Sequence, residues 1–491
     1  MFKFRAVSFF TVSALVLLSG IVASAQHEVG GGVASDAAVG SESRSGSRVR
    51  RAPTRTSPAR RPAPPPVRRG ITADQYNQQG DTFFEAENYD EAFEAYTKAV
   101  QLKPIASAFY HLGWINNDRE DYSEALTALQ QAVRLNPNYA PSFYELGYAL
   151  RHLKRHDEAM VAYRASVGID PNYARAYYDI GFLYNELKQY SQAIQPLKQA
   201  ASLKANYAEA YNELGYAYRQ LGRSQEAIAA FRQAVSAKPD YANAYFGLGD
   251  VYFYGTSQYQ DAISAYNSAL AIEPDNATAN YNVGWSYNEL KNYRQAIPAL
   301  EKATRLKSDY AEAFAELGYA YRKEERFDDA LRAYNAAIQL KPNYAQPYFG
   351  LGDLYYYNLN KYQEAITAYE QALRLKPNNP TAYYNVGWSY NDLNRYSDSI
   401  APLREAVRLK PEYAEAYNEL GFAYLNVRRY PEAISSFNEA VRIKPDYGLA
   451  YYNLGITYIN MNDKRKALDQ YRILQRVDRQ RADKLYAEIQ K

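Results

Sequence analysis

Residues Ala311–Tyr344 read AEAFAELGYAYRKEERFDDALRAYNAAIQLKPNY. Phe314, Leu317, Gly318 and Tyr321 recur at i, i+3, i+4 and i+7, the spacing of one buried stripe on a helix. Gly318 lowers helix stability relative to alanine, so its place in the stripe predicts a close approach by a second helix. Ala330 and Ala337 offer small surfaces on that second helix, with Leu331, Tyr334 and Ile338 around them. Arg326-Phe327-Asp328 reads as the turn, with Asp328 capping the second helix. Lys341-Pro342-Asn343 ends it, because proline lacks a donor N–H and disfavours helix in the residue before it.

One such hairpin leaves its outer apolar face uncovered and must stack on copies of itself. The copies are present. The glycine recurs at Gly80, Gly113, Gly147, Gly181, Gly215, Gly249, Gly284, Gly318, Gly352, Gly387, Gly421 and Gly455. The steps are 34 residues, apart from 33 at the first and 35 after Gly249 and Gly352. The partner alanine follows from Ala92 to Ala467, with Ser399 the one substitution, and prolines such as Pro137, Pro342 and Pro445 close many copies.

This pattern resembles the tetratricopeptide repeat, whose signature is W-x2-L-G-x2-Y, then Ala, an aromatic, Ala and Pro at fixed offsets. Tyr or Phe usually stands for the signature Trp, as at Phe143, Tyr177, Tyr211, Tyr245 and Tyr417. Asn280 replaces that aromatic, and Ala205 and Ser308 replace the closing proline. The resemblance implies an all-α, right-handed α-solenoid of about twelve hairpins over residues 73–481. A C-terminal capping helix is expected over residues 479–491, where Leu474, Leu485 and Ile489 can cover the exposed end.

A longer period overlies the first. YNVGWSYNELKNY at Trp285 returns as YNVGWSYNDLNRY at Trp388, and YFGLGDVYFYG at Tyr245 returns as YFGLGDLYYYN at Tyr348, each 103 residues later. Three kinds of repeat therefore cycle. The extra residue of the third kind is expected in the turns at Tyr254–Tyr259 and Tyr357–Tyr362, which would bulge from one edge.

Residues 1–25 carry Lys3 and Arg5, an apolar run and Ala23-Ser24-Ala25, which reads as a signal peptide with an A-x-A cleavage site. Export to the periplasm, cell envelope or exterior follows, with no transmembrane domain once the signal is cleaved; the competing reading is an uncleaved N-terminal membrane anchor. Residues 26–70 form a Gly/Ser/Arg/Pro-rich linker expected to be disordered. Nine Arg against Glu28, Asp36 and Glu42 give it +6; with +2 from Lys3 and Arg5, this leaves −5 for the repeats in a chain totalling +3. The basic tract suits contact with an anionic surface, against the plainer reading of a solvated tether. It lacks the interleaved aromatics of a nucleic-acid binder. With no cysteine, stability rests on packing alone.

No catalytic residue, metal ligand or cofactor is expected. His152 and His156 straddle a helix end without an HExxH arrangement, and Phe246-Gly247-Leu248-Gly249 lies inside a first helix with no strand before it. The residues left over are on first helices. One position after the glycine stand Trp114, Tyr148, Phe182, Tyr216, Trp285, Tyr319, Trp388 and Phe422; three further on stand Asn117, Arg151, Asn185, Arg219, Asn288, Arg322 and Asn391. The core positions are already filled, so core packing leaves these unexplained. In the resembling family this face lines the concave groove. Aromatics alternating with Asn and Arg suit an extended peptide, and carbohydrate is the alternative ligand. The Lys/Asn/Arg carboxylate clamp of some family members is not reproduced. The expected function is a non-catalytic scaffold for protein or peptide partners.

Overall fold

The computed structural model describes residues 71–491, so the expected signal and linker, residues 1–25 and 26–70, lie outside the described residues. Twelve helix pairs run from Ala73–Glu85 with Tyr89–Leu102 to Gly448–Asn460 with Lys464–Val477, and a final helix spans Arg479–Gln490. Among the described residues there is no strand. Each helix packs on its pair-mate and on the following pair, and successive first helices also touch one another. The result is a solenoid. No helix among the described residues is long and apolar enough to cross a membrane.

The glycine has the role its spacing predicts. A Cβ on Gly318 would sit 2.7 Å from the Tyr334 ring, which is 2 % exposed. The counterpart is an aromatic at Tyr96, Tyr163, Phe231, Tyr266, Tyr369 and Phe437, and a leucine at Leu129, Leu197, Leu300 and Leu403. Repeats of the third kind add a second such contact from the far side: a Cβ on Gly350 would lie 2.5 Å from Tyr334, and one on Gly247 2.4 Å from Phe231. The ring of one repeat is thus gripped by the backbones of two first helices.

The turn is made differently from the expectation. The first helix ends at Lys323 and the second begins at Phe327, leaving Glu324, Glu325 and Arg326 between them. Arg326 N–H donates to the Tyr321 carbonyl at 2.9 Å and Glu325 N–H to that of Arg322 at 3.2 Å, the two bonds of a Schellman closure. This closure places Glu325 at φ 61° and satisfies the end of the first helix; the second helix starts after Arg326 with no side-chain cap, so Asp328 does not cap it as expected. Asp328 sits in the first turn of the second helix, where its charge complements the helix dipole. Every one of the twelve turns holds a residue at positive φ in this place, and only Gly222 is a glycine. A further such residue, Asn206 at φ 56°, follows Ala205, where the closing proline is missing.

The extra residue of the third kind does not lengthen its turn. Val251–Gly255 and Leu354–Asn358 form single π-helical turns at the ends of the first helices Ala242–Asp250 and Ala345–Asp353. Closing bonds then run from Gln258 N–H to Tyr252 O and from Lys361 N–H to Tyr355 O, both 2.8 Å. Widening the helix keeps Val251, Phe253, Leu354 and Tyr356 buried while absorbing the added residue. No edge bulge results.

At the C-terminal end the solenoid is closed by the final helix, which buries Ala482, Leu485 and Ile489. Leu485 meets Gly455 as the second-helix ring does elsewhere. Tyr471, which the spacing would place there, instead packs on Tyr486 with ring centres 5.0 Å apart.

Two substitutions separate packing from propensity. Gly318→Ala is expected to lower stability by about 1–2 kcal/mol, overpacking against Tyr334 outweighing the helix gain. Gly168→Ala, with nothing within 4 Å of the added carbon, is expected to raise it by about 0.5–1 kcal/mol. Denaturant midpoints of the full chain check both. Arg428, at φ 61°, gives the converse test: Arg428→Gly is expected to stabilise by about 1 kcal/mol in the same assay, by relieving left-handed strain.

Candidate functional site

The four asparagines on the first-helix face are buried, between 3 % and 5 % exposed. Each reaches across to the next first helix. Asn117 Nδ2 donates to the Glu145 carbonyl and carboxylate at 3.1 and 2.9 Å. Asn185 does the same to Glu213 at 3.1 and 2.9 Å, Asn288 to Glu316 at 3.2 and 2.9 Å, and Asn391 to Glu419 at 3.2 and 3.1 Å. Core packing does account for these residues, contrary to the sequence reading: their amides staple successive repeats.

The arginines have an equivalent task. Arg322 Nη2 donates to Asp353 Oδ2 at 3.1 Å, and Arg219 pairs with Asp250. Arg151 lies 3.5 Å from Glu186 and over the Phe182 ring at 4.9 Å. Asp250 and Asp353 are shared acceptors, since Tyr266 and Tyr369 donate their hydroxyls to them at 2.7 and 2.8 Å. Those hydroxyls accept in turn from Asn282 and Asn385 at 2.9 and 3.1 Å. In the first pair Tyr96 donates to Asp81 at 2.8 Å, and His111 holds the asparagine's place, stacked on Tyr96. A polar ladder therefore runs from repeat to repeat behind the exposed edge.

In front of it stand the eight aromatics, each half-buried. The turn tyrosine of the preceding repeat supports most of them. Tyr89 packs on Trp114 with centres 5.3 Å apart, Tyr190 on Tyr216 at 5.9 Å, Tyr293 on Tyr319 at 5.7 Å and Tyr396 on Phe422 at 5.8 Å; Tyr122 and Tyr148 are 6.3 Å apart. Phe182 neighbours Tyr178 at 6.0 Å. Trp285 packs edge-on to Phe253 at 4.9 Å and donates its indole N–H to Glu289 at 3.2 Å. Trp388 has the matching place over Tyr356 at 5.2 Å. Of the expected site residues, the structure thus leaves the rings half-open on one face and turns Asn and Arg to the ladder.

The sequence reading passed over the acceptors of that ladder. Glu145, Glu213, Glu316 and Glu419 each precede a glycine by two residues and follow their asparagine by 28, a spacing that becomes a signal once neighbouring repeats are superposed. For two of them desolvation has an electrostatic cost. Glu316 is pushed up to about 7 by desolvation, opposed by the Asn288 donor and assisted by the charge of Glu289. Glu419 is raised for the same reason, with Asp392 as the like charge. His152 is pushed down to about 4 by burial and by Arg151 and Lys154, and it stacks on Tyr122 at 4.4 Å. It serves as an aromatic here. Among the described residues no group of three His, Cys, Asp or Glu is arranged to hold a metal.

The raised carboxyl sets a pH dependence. An unfolded Glu316 deprotonates near 4.5, whereas the folded chain holds the proton to about 7. The folded state binds more protons in that window, so stability falls as pH rises through it, by roughly 3 kcal/mol at most. Glu316→Gln keeps an acceptor for Asn288 without the charge. It is expected to raise the thermal midpoint at pH 8 and to leave it unchanged at pH 4, as followed by circular dichroism.

Comparison with known proteins accords with this geometry. Models of the tetratricopeptide repeat match residues 77–140, 118–174, 212–277, 251–311, 349–414 and 387–448. Related models match 183–222, 318–358 and 449–477. Heat shock protein STI1 of Saccharomyces cerevisiae is 32% identical over 75 residues, 14% of this chain and 12% of that protein. Among solved structures, MamA is 29% identical, covering 34% of this chain and 97% of its own, with a TM-score of 0.32. The Cut9–Hcn1 hetero-tetramer of APC/C is 15% identical over 85% of this chain and 96% of that one, with a TM-score of 0.36. With repeat models matching most of its length, the chain belongs to the tetratricopeptide repeat family.

Proposed function

We propose that this scaffold for protein–protein interaction takes an extended peptide segment of its partner along the first-helix face. The observation that carries the reading is the row of half-buried rings, from Trp114 to Phe422, backed by a ladder of hydrogen bonds. Rings held by turn tyrosines lose little side-chain freedom on binding, so their exposed faces offer area at low entropic cost. The ladder fixes the spacing between neighbouring rings, which is what an extended chain would read. Export is part of the proposal, on the strength of residues 1–25, and places the partner in the cell envelope or outside the cell.

The test is a crosslinking pull-down from envelope extract with wild type and a Trp114→Ala, Trp285→Ala, Trp388→Ala variant, after circular dichroism has shown equal folding. Loss of a specific protein from the variant's captured set is the expected result. An identical captured set would remove the first-helix face from consideration. Cell fractionation with N-terminal sequencing checks export, with Gln26 as the expected mature first residue.

A further inference from the structure

Around Trp285 the unused polar atoms are all acceptors. Asn288 spends its NH2 group on Glu316, and its Oδ1, in a residue 4 % exposed, has no hydrogen-bond partner. Beside it the Glu316 carboxylate receives that one amide, and the nearby charge acting on it is another carboxylate, Glu289. The Trp285 N–H engages one oxygen of Glu289. The cations of this face are directed elsewhere: Arg322 to Asp353 and Arg219 to Asp250, with Lys323 over the Tyr319 ring at 5.5 Å. The arrangement returns 103 residues later. Asn391 donates to Glu419, its buried Oδ1 is again without a partner, Asp392 is the neighbouring carboxylate, and Trp388 stands where Trp285 does; this copy is the more satisfied of the two, since Asn418 also donates to Glu419 at 3.2 Å and the Tyr356 hydroxyl donates to Asp392.

Two carboxylates and an indole face, with the unpaired Asn288 Oδ1 buried behind them, together lack a positively charged donor; the same oxygen is unpaired at Asn117 and Asn185. We propose that the Trp285–Glu289–Asn288–Glu316 cluster and its copy Trp388–Asp392–Asn391–Glu419 each take the guanidinium of an arginine in an extended peptide of a partner protein. This rests on the first-helix face being the binding face and names what that face selects. A guanidinium is planar, carries five donors and stacks on tryptophan, so it can face acceptors with its edge and the indole with its plane. The charge it brings would also restore the ionised form of Glu316, which burial now disfavours. Two related clusters on one scaffold favour a ligand with two arginines, the first held at the less satisfied Glu316 cluster and the second binding as an intramolecular event.

The probes are three synthetic Ser/Pro-rich peptides of equal length, carrying evenly spaced arginines, citrullines or glutamates. Each is titrated into the full chain by calorimetry. The arginine peptide is expected to bind about tenfold or more tightly than the citrulline peptide. The variant Glu316→Gln, Glu419→Gln should lose that preference while staying folded, with its thermal midpoint at pH 8 at or above that of wild type. Glu405→Gln, Glu439→Gln, which removes the same charge from exposed ion pairs on second helices, should retain it. Equal loss in this control would mean general electrostatic attraction and overturn the assignment. Equal binding of arginine and citrulline peptides to wild type would overturn the cation sites and leave the peptide-binding face standing. If none of the three binds, the face itself falls. Binding seen only after deletion of residues 43–70 would assign the sites to the chain's own arginines and overturn the partner assignment.

Discussion

The close approach of a glycine backbone to a ring on the next helix is the contact everything else requires. At Gly318 the Tyr334 ring occupies the space a side chain would need, which sets how near the two helices lie. Because the glycine meets a ring in seven pairs and a leucine in four, with Leu485 supplying the contact in the twelfth, every hairpin is nearly the same building block. Identical blocks stacked in one way can only give a solenoid. Gly350 extends the principle by gripping Tyr334 from the next repeat, so a single ring couples two blocks.

Helix pairing alone would leave successive repeats sliding on an apolar surface. The ladder of Asn–Glu and Arg–Asp bonds supplies direction, since a misplaced repeat would strand buried polar groups. The rungs differ in electrostatic quality. Arg322 meets an opposite charge in Asp353. Glu316 meets only an amide and a second carboxylate, and holds its proton more tightly as a consequence. An acid kept where it lowers stability is the kind of compromise expected of a binding surface.

Much of this was legible beforehand because it depends on residues near one another along the chain. The glycine and alanine periods, the prolines between pairs and the role of Leu485 and Ile489 all follow from one hairpin and its repetition. The fate of Asn117, Asn185, Asn288 and Asn391 does not. Their partners lie 28 residues on, and one hairpin read in isolation offers no acceptor for them. The same holds for the 35-residue repeats. An added residue can enter a turn or a helix end, and the apolar neighbours Val251 and Leu354, drawn into the core, decide for the π turn.

By itself, then, the sequence determined that this protein is a stack of about twelve helical hairpins, with aromatic rings one residue past eight of the packing glycines. Periodicity is a local property, and the hydrophobic effect needs nothing more to choose that architecture. Only the tertiary structure decided which polar groups hold repeats together and which stay available at the surface. That division depends on what stands opposite each side chain across a helix–helix boundary, and the boundary exists only once the repeats have stacked.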